Sequence, residues 1–276
     1  MTIISKQRWH PSKFLQLTIA IHAASLILVL ARPDLWPGLL GVLFLNHLVI
    51  TVAGLWPRSQ LLGPNWTALP QEAARRGWIA LTIDDGPDPE VTPQVLDLLD
   101  EKSVKATFFC IASKAAQYPE LCREILRRGH TVENHSLLHS HTFSLRGVGW
   151  LQQEIKAAQD LLMEITQSRP VFFRPPAGLR NPFLDYVLRR NGLTLASWSA
   201  RGFDTCTTDA KKITQRLLKG LRPGTILLLH DGNAAQVTAG GAAILAVLPQ
   251  LIAEAALRNL RFVTLREALT IQVHHE

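Results

Sequence analysis

The chain has 276 residues, room for one good-sized catalytic domain and an appendage. Its formal charge is +7, but the 29 Lys and Arg are spread out, with no basic tract or aromatic-interleaved basic stripe, so nucleic acid is set aside as a partner. The three cysteines, Cys110, Cys122 and Cys206, lack C-x-x-C spacing, which excludes a zinc ribbon and a disulfide framework; Cys110, in an apolar run, reads as a core thiol.

Residues Phe14 to Ala31 carry no charge and are nearly all apolar; Arg32-Pro-Asp34 breaks the run, and a second uncharged stretch extends from Leu35 to Trp56. At 1.5 Å per residue, about twenty helical residues cross the ~30 Å hydrocarbon core. Trp36 and Trp56 bracket the second stretch as interfacial aromatics do. A cleaved signal peptide is the competing reading of the first run. A second apolar run directly behind it, with no small-x-small cleavage site, favours two retained helices and makes residues 1–57 a multi-pass anchor in a bacterial inner membrane. His22 and His47 fall inside these helices and read as facing each other or another helix, with no catalytic role. Lys6, Arg8 and Lys13 precede the first helix and Arg58, Arg75 and Arg76 follow the second, against Arg32 in the turn. The positive-inside rule then places both ends, and the domain that follows, in the cytoplasm by a small margin, with the opposite topology open.

Residues 58–77, with Gly63, Pro64 and Pro70, read as a linker. From Trp78 to residue 276 short apolar runs (Ile79–Ile83, Ala106–Ile111, Val171–Phe173, Leu193–Trp198, Thr225–Leu229, Phe262–Leu265) alternate with amphipathic stretches (Thr92–Glu101, Pro119–Arg128, Leu151–Thr166, Phe183–Arg190, Ala210–Leu221, Ala242–Arg258). That alternation predicts an α/β fold with a parallel sheet or barrel. Asp84-Asp85, Arg174, Asp204 and His230-Asp231 fall at or just after the ends of apolar runs, which a parallel barrel gathers at one mouth.

Asp84-Asp85-Gly86-Pro87 has turn composition, but His135-Ser-Leu-Leu-His139 follows about fifty residues on, and two histidines four apart reach one ion. A carboxylate and two imidazoles leave a divalent metal with open positions, the ligand count of a catalytic site. The spare carboxylate one residue away is placed to act as a base. His130 and His141 crowd the same region and read as supporting or surface residues. Arg174, before Pro-Pro-Ala-Gly178, can orient and keep ionised a buried aspartate, and the turn offers backbone N–H groups suited to an oxyanion. His230, ending Leu227-Leu-Leu-His-Asp231, suits a general acid, with Asp204 as the partner that raises its pKa.

In this order, the motifs resemble those of the NodB-like polysaccharide deacetylases, carbohydrate esterase family four, over roughly residues 78 to 266. The resemblance implies a distorted (β/α) barrel with Asp84 as catalytic base and Asp85, His135 and His139 as metal ligands. It also implies Arg174 beside the base, the Ala177 N–H in the oxyanion hole, His230 as the acid and Leu228 in the pocket for the acetyl methyl. Two departures stand out. Ala177 replaces the usual tyrosine, and in Arg201-Gly-Phe-Asp-Thr205 the Arg201 and Thr205 replace the usual first aspartate and tryptophan while Asp204 keeps its place. The activity implied is metal-dependent removal of an N-acyl group from an amino sugar, with zinc, cobalt or nickel fitting the ligands. The substrate is either an N-acetylated polymer or, for a cytoplasmic domain, a lipid-phosphate-linked sugar subject to deformylation or deacetylation, with Arg201 meeting the phosphate. A membrane-tethered glycan-binding protein without activity is the reading from another class, and the intact Asp84, Asp85, His135, His139 and His230 argue against it.

Overall fold

The computed structural model describes residues 9–237 and 240–273; Lys6 and Arg8, two of the charges used for orientation, lie outside them. Helix α1 (Lys13–Ala31) starts where the Ser12 hydroxyl accepts the Leu15 N–H at 3.2 Å, satisfying one of the free donors of a helix start. Pro33 turns the chain, and α2 (Trp36–Leu55) runs back along α1. Both helices are long and apolar enough to cross a membrane by length and composition, and little of either is buried against protein. His22 and His47 face each other, edge to face, with ring centroids 5.1 Å apart.

The remainder is a curled parallel sheet wrapped by helices. Its strands are β1 (Trp78–Asp84), β2 (Thr107–Cys110), β3 (Thr131–Asn134), β4 (Phe172–Phe173), β5 (Thr194–Leu195), β6 (Ala200–Arg201), β7 (Ile226–His230) and β8 (Arg261–Phe262). They lie in the order β5-β4-β3-β2-β1-β7-β6, and β8 pairs with the first residues of β1. The expected distorted barrel is therefore present, open between β5 and β6. All seven residues of β1 and all five of β7 are buried, as strands covered on both faces must be, which is why they read as unbroken apolar runs. Around them pack α4 (Val91–Glu101), α5 (Ala112–Gln117), α6 (Pro119–Arg127), α7 (Val148–Thr166), α8 (Leu184–Asn191), α9 (Ala210–Gly220), α10 (Ala243–Leu257) and α11 (Leu265–Val273).

Three local differences from the sequence reading have physical causes. Strand β3 has no apolar signature because it buries Glu133, whose carboxylate accepts the Val171 and Phe172 N–H groups and pairs with Arg266 at 2.5 Å. The run Leu193–Trp198 is cut short as β5, and the chain re-enters the sheet only at Ala200 as β6. The stretch read as a linker is not slack. Trp66 donates its N–H to Leu195 O at 2.9 Å and accepts from Ser197 N–H at 2.8 Å, while Leu69 N–H reaches Gly224 O at 2.8 Å. Its Leu62, Leu69 and Ala73 are buried, Ala73 within a short helix α3 (Gln71–Arg75), so the segment straps the barrel between β5 and the start of β7.

Candidate active site

Asp84 ends β1 and Asp85 begins the turn after it, with φ of 73°. Few non-glycine residues adopt that backbone, and asparagine and aspartate are among those that do. The turn is locked against the one that follows β7. A Cβ on Gly86 would collide with the Asp231 carboxylate, and a Cβ on Gly232 with the Asp85 carbonyl, so close packing requires glycine at both positions. Asp231 also accepts hydrogen bonds from Thr92 and from Gly232 N–H, and burial pushes its pKa up to about 6.

Across the mouth, β3 delivers His135 and the turn beyond it His139, whose φ is 52°. Both imidazole Nε2 atoms lie 3.1 Å from the same oxygen, Oδ1 of Asp85. The His135 Nδ1–H donates to Arg174 O at 2.7 Å, which fixes the tautomer that turns Nε2 toward Asp85. The His139 N–H is tied to Ser136 Oγ at 3.0 Å. Asn233 donates to Asp85 Oδ2 at 3.2 Å, and Lys114 to the Asp85 carbonyl at 2.9 Å. Burial alone would raise the Asp85 pKa; hydrogen bonds from His135 and His139 and the charge of His135 override it and hold the carboxyl well below the usual range. Asp85, His135 and His139 bring one ligand atom each within 4.8 Å of one another. One hard carboxylate and two oriented imidazoles in a half-dry pocket fit a borderline divalent cation, with room left in its coordination shell.

Asp84 takes no part in that cluster's short contacts, its Oδ2 being 3.9 Å from His135 Nε2. Its Oδ1 is held at 2.7 Å by Nη1 of Arg174, which is wholly buried at the end of β4. The guanidinium is satisfied on every side, by Thr82 Oγ1, Ala196 O and Ser197 O at 2.8–2.9 Å, with the Phe109 ring 4.2 Å away. On the other wall His230, the last residue of β7, donates its N–H to Asp204 Oδ2 at 2.7 Å, and its Nδ1 lies 3.0 Å from Oδ1 of the same carboxylate. Burial would lower the His230 pKa; the Asp204 hydrogen bond and charge, with the charges of Asp84 and Asp85, raise it instead.

These groups line one cavity of about 430 Å³, together with Ala177, Gly178, Trp198, Arg201, Thr205, Cys206, Leu228 and His141. Every candidate residue read from the sequence thus borders this mouth or, as with Arg174 and Asp204, bonds directly to one that does. His130 does not. It packs edge-on to Phe108 at the opposite end of β3, accepts the Ala106 N–H on Nδ1, and is driven by burial to a pKa of about 4. Lys114 and Asn233 were not singled out from the sequence, since isolated polar residues in a helix and a turn carry no spacing signal.

With this geometry in hand, comparison with known proteins is decisive. The family described as polysaccharide deacetylase matches residues 71–196. A peptidoglycan-N-acetylglucosamine deacetylase of Bacillus cereus is 34% identical over 199 residues, covering 69% of this chain and 87% of that protein. A chitooligosaccharide deacetylase of Bradyrhizobium sp. is 34% identical over 154 residues, 56% of this chain and 70% of that protein. Among solved structures, a peptidoglycan N-acetylglucosamine deacetylase bound to a naphthalenyl N-hydroxybenzamide superposes with a TM-score of 0.66 at 27% identity, covering 74% of this chain and 92% of that one. A family 4 carbohydrate esterase from Streptomyces lividans, in complex with acetate, gives 0.61 at 31% identity, covering 67% and 91%. The chain belongs to the polysaccharide deacetylase family, the hydrolases of carbohydrate esterase family four that cleave the amide of an N-acylated sugar.

Proposed function

We propose that the protein is a membrane-anchored N-deacetylase of an N-acetylated amino sugar, working with one divalent metal held by Asp85, His135 and His139. The observation that carries this reading is the division of labour between adjacent aspartates. Asp85 faces both imidazoles, while Asp84 is set apart from them and held by Arg174. When bound, the ion, zinc on this reading with cobalt or nickel fitting the same donors, supplies Lewis acidity to the amide carbonyl and to the attacking water. Asp84 accepts that water's proton as its oxygen bonds to the carbonyl carbon. The Ala177 N–H, presented by a turn with φ of 54°, steadies the resulting oxyanion, and Leu228 receives the acetyl methyl. The C–N bond then breaks as His230 delivers its Nε2 proton to the sugar nitrogen, with Asp204 holding Nδ1–H in place. Acetate and a free amino sugar leave.

On the same reading residues 1–57 are a retained two-helix anchor in a bacterial inner membrane, 58–77 a connecting strap and 78–276 the catalytic domain, on the cytoplasmic side. Retention is supported by contacts a cleaved leader would not need: the Trp9 indole donates to Asp185 at 2.8 Å, and Arg180 N–H to Gly54 O at 3.1 Å. The substrate is an N-acetylglucosamine glycan like those that name the relatives, or the same sugar, acetylated or formylated, on a lipid. The test is acetate or formate release by the full-length protein, with and without chelator, alongside its metal content. His135→Ala should lose both the metal and about 10³-fold or more in kcat/KM. Stoichiometric metal retained by that variant would overturn the ligand assignment, and an inactive but metal-free wild type would favour a glycan-binding role.

A further inference from the structure

The end of the hydrophobic hairpin is bonded to the wall of the pocket. Ser197 Oγ donates to Pro57 O at 2.7 Å, while Ser197 O receives the Arg174 guanidinium that holds Asp84. A Cβ on Gly178, a pocket-lining residue, would come within 2.9 Å of the Pro57 side chain. Two residues further, buried Arg180 sends its guanidinium to Gly63 O at 3.4 Å and to Ser59 O, and its own N–H to Gly54 O inside α2. Only Trp56 separates the end of α2 from Pro57, and two extended residues span at most about 7 Å. With α1 and α2 in a bilayer, the pocket sits at its surface, with no tether that could carry it to a distant polymer.

The same pocket holds one unspent cation. Arg201 is its one Lys or Arg among the described residues, set at the end of β6 beside Leu228. Its guanidinium lies 5.5 Å from the Trp198 ring and 4.9 Å from Phe203, and its buried Nε has no hydrogen-bond partner among the described residues. A planar cation held between aromatic rings with donors left over is suited to a phosphate. In a 2-amino sugar the anomeric carbon adjoins the carbon bearing the amide, so a phosphate on the anomeric oxygen enters the pocket together with the bond to be cut.

We propose that the amino sugar is presented in the membrane plane on a lipid phosphate, and that Arg201 recognises the phosphate. This rests on the deacetylase reading above. The experiment uses the full-length protein in lipid nanodiscs and compares acetate release from three probes at matched concentration. These are polyprenyl-phosphate-linked N-acetylglucosamine in the same discs, N-acetylglucosamine 1-phosphate in solution, and N-acetylglucosamine oligomers. The lipid-borne probe should be turned over at least tenfold faster than either soluble one. Arg201→Gln should lower the lipid-to-oligomer rate ratio about tenfold, and Arg201→Lys should recover part of it. Oligomers matching or outpacing the lipid would overturn the proposal while leaving the deacetylase standing. Equal rates on the two phosphates would remove the membrane from it, and acetate from none of the three would sink both readings.

Discussion

The two walls of the pocket are built to different tolerances. On the ligand wall almost every atom is fixed twice: Asp85 by two imidazoles and Asn233, His135 by Asp85 and a backbone carbonyl, Asp84 by an arginine that itself has four partners. On the acid wall His230 rests on a single carboxylate, Asp204, carried by the loop after β6, where Phe203 is 47% exposed with φ of 62°. A site that must hold a cation and aim a base needs the first kind of wall. One that meets varied leaving groups can be adapted through the second, and the departures at Arg201 and Thr205 both fall there.

The largest effect that would break this contrast is on the ligand wall. Asp84→Asn should keep the metal and lower kcat by about 10³–10⁴-fold, since on the proposed assignment it removes the base while the donor set stays. If that variant loses its metal and Asp85→Asn does not, the two aspartates have been assigned in reverse. A smaller loss is expected of Asn233→Ala, which removes a donor that orients Asp85: metal affinity should fall about 10- to 100-fold by titration. Unchanged affinity would mean the ligand wall is less over-determined than its hydrogen bonds imply.

The subtlest change is on the acid wall. On the proposed mechanism His230 must be protonated to act, so activity should be lost as pH rises through its pKa. Asp204 raises that pKa against burial. Asp204→Asn should therefore move the alkaline limb of the kcat/KM–pH profile to lower pH and reduce the plateau by less than about tenfold. Stability should drop by only about 1 kcal/mol, because asparagine keeps an acceptor for one of the two His230 donors. A profile identical to wild type in position and height would transfer the pairing to another group, Asp231 first.

The ligand wall was also the more legible in the sequence. Asp84, Asp85 and Arg174 come at the ends of buried apolar runs that stop abruptly at a polar residue, and His135 and His139 come from their four-residue spacing, since β3 itself has no apolar signature. What stayed hidden was set by contacts between segments far apart in the chain. Glu133 disguises β3 because its charge is compensated by Arg266 from α11, and Trp66 looks like loop because its partners lie about 130 residues away. His130 shared a neighbourhood with the ligands in sequence, yet it lies at the other end of the strand that carries His135. Proximity along a parallel strand separates residues as readily as it joins them.

The strap of residues 66–69 has a consequence for how copies of this protein meet. It occupies backbone donors and acceptors of Leu195 and Ser197 along the β5 rim of the open barrel, and of Gly224 just before β7. Were it peeled away, the β5 rim would be a bare β-edge, a template for any extended chain of matching register. The cheapest such chain is the same strap from a neighbour, so the grip of residues 66–69 on β5 also bears on whether adjacent molecules stay separate or exchange arms.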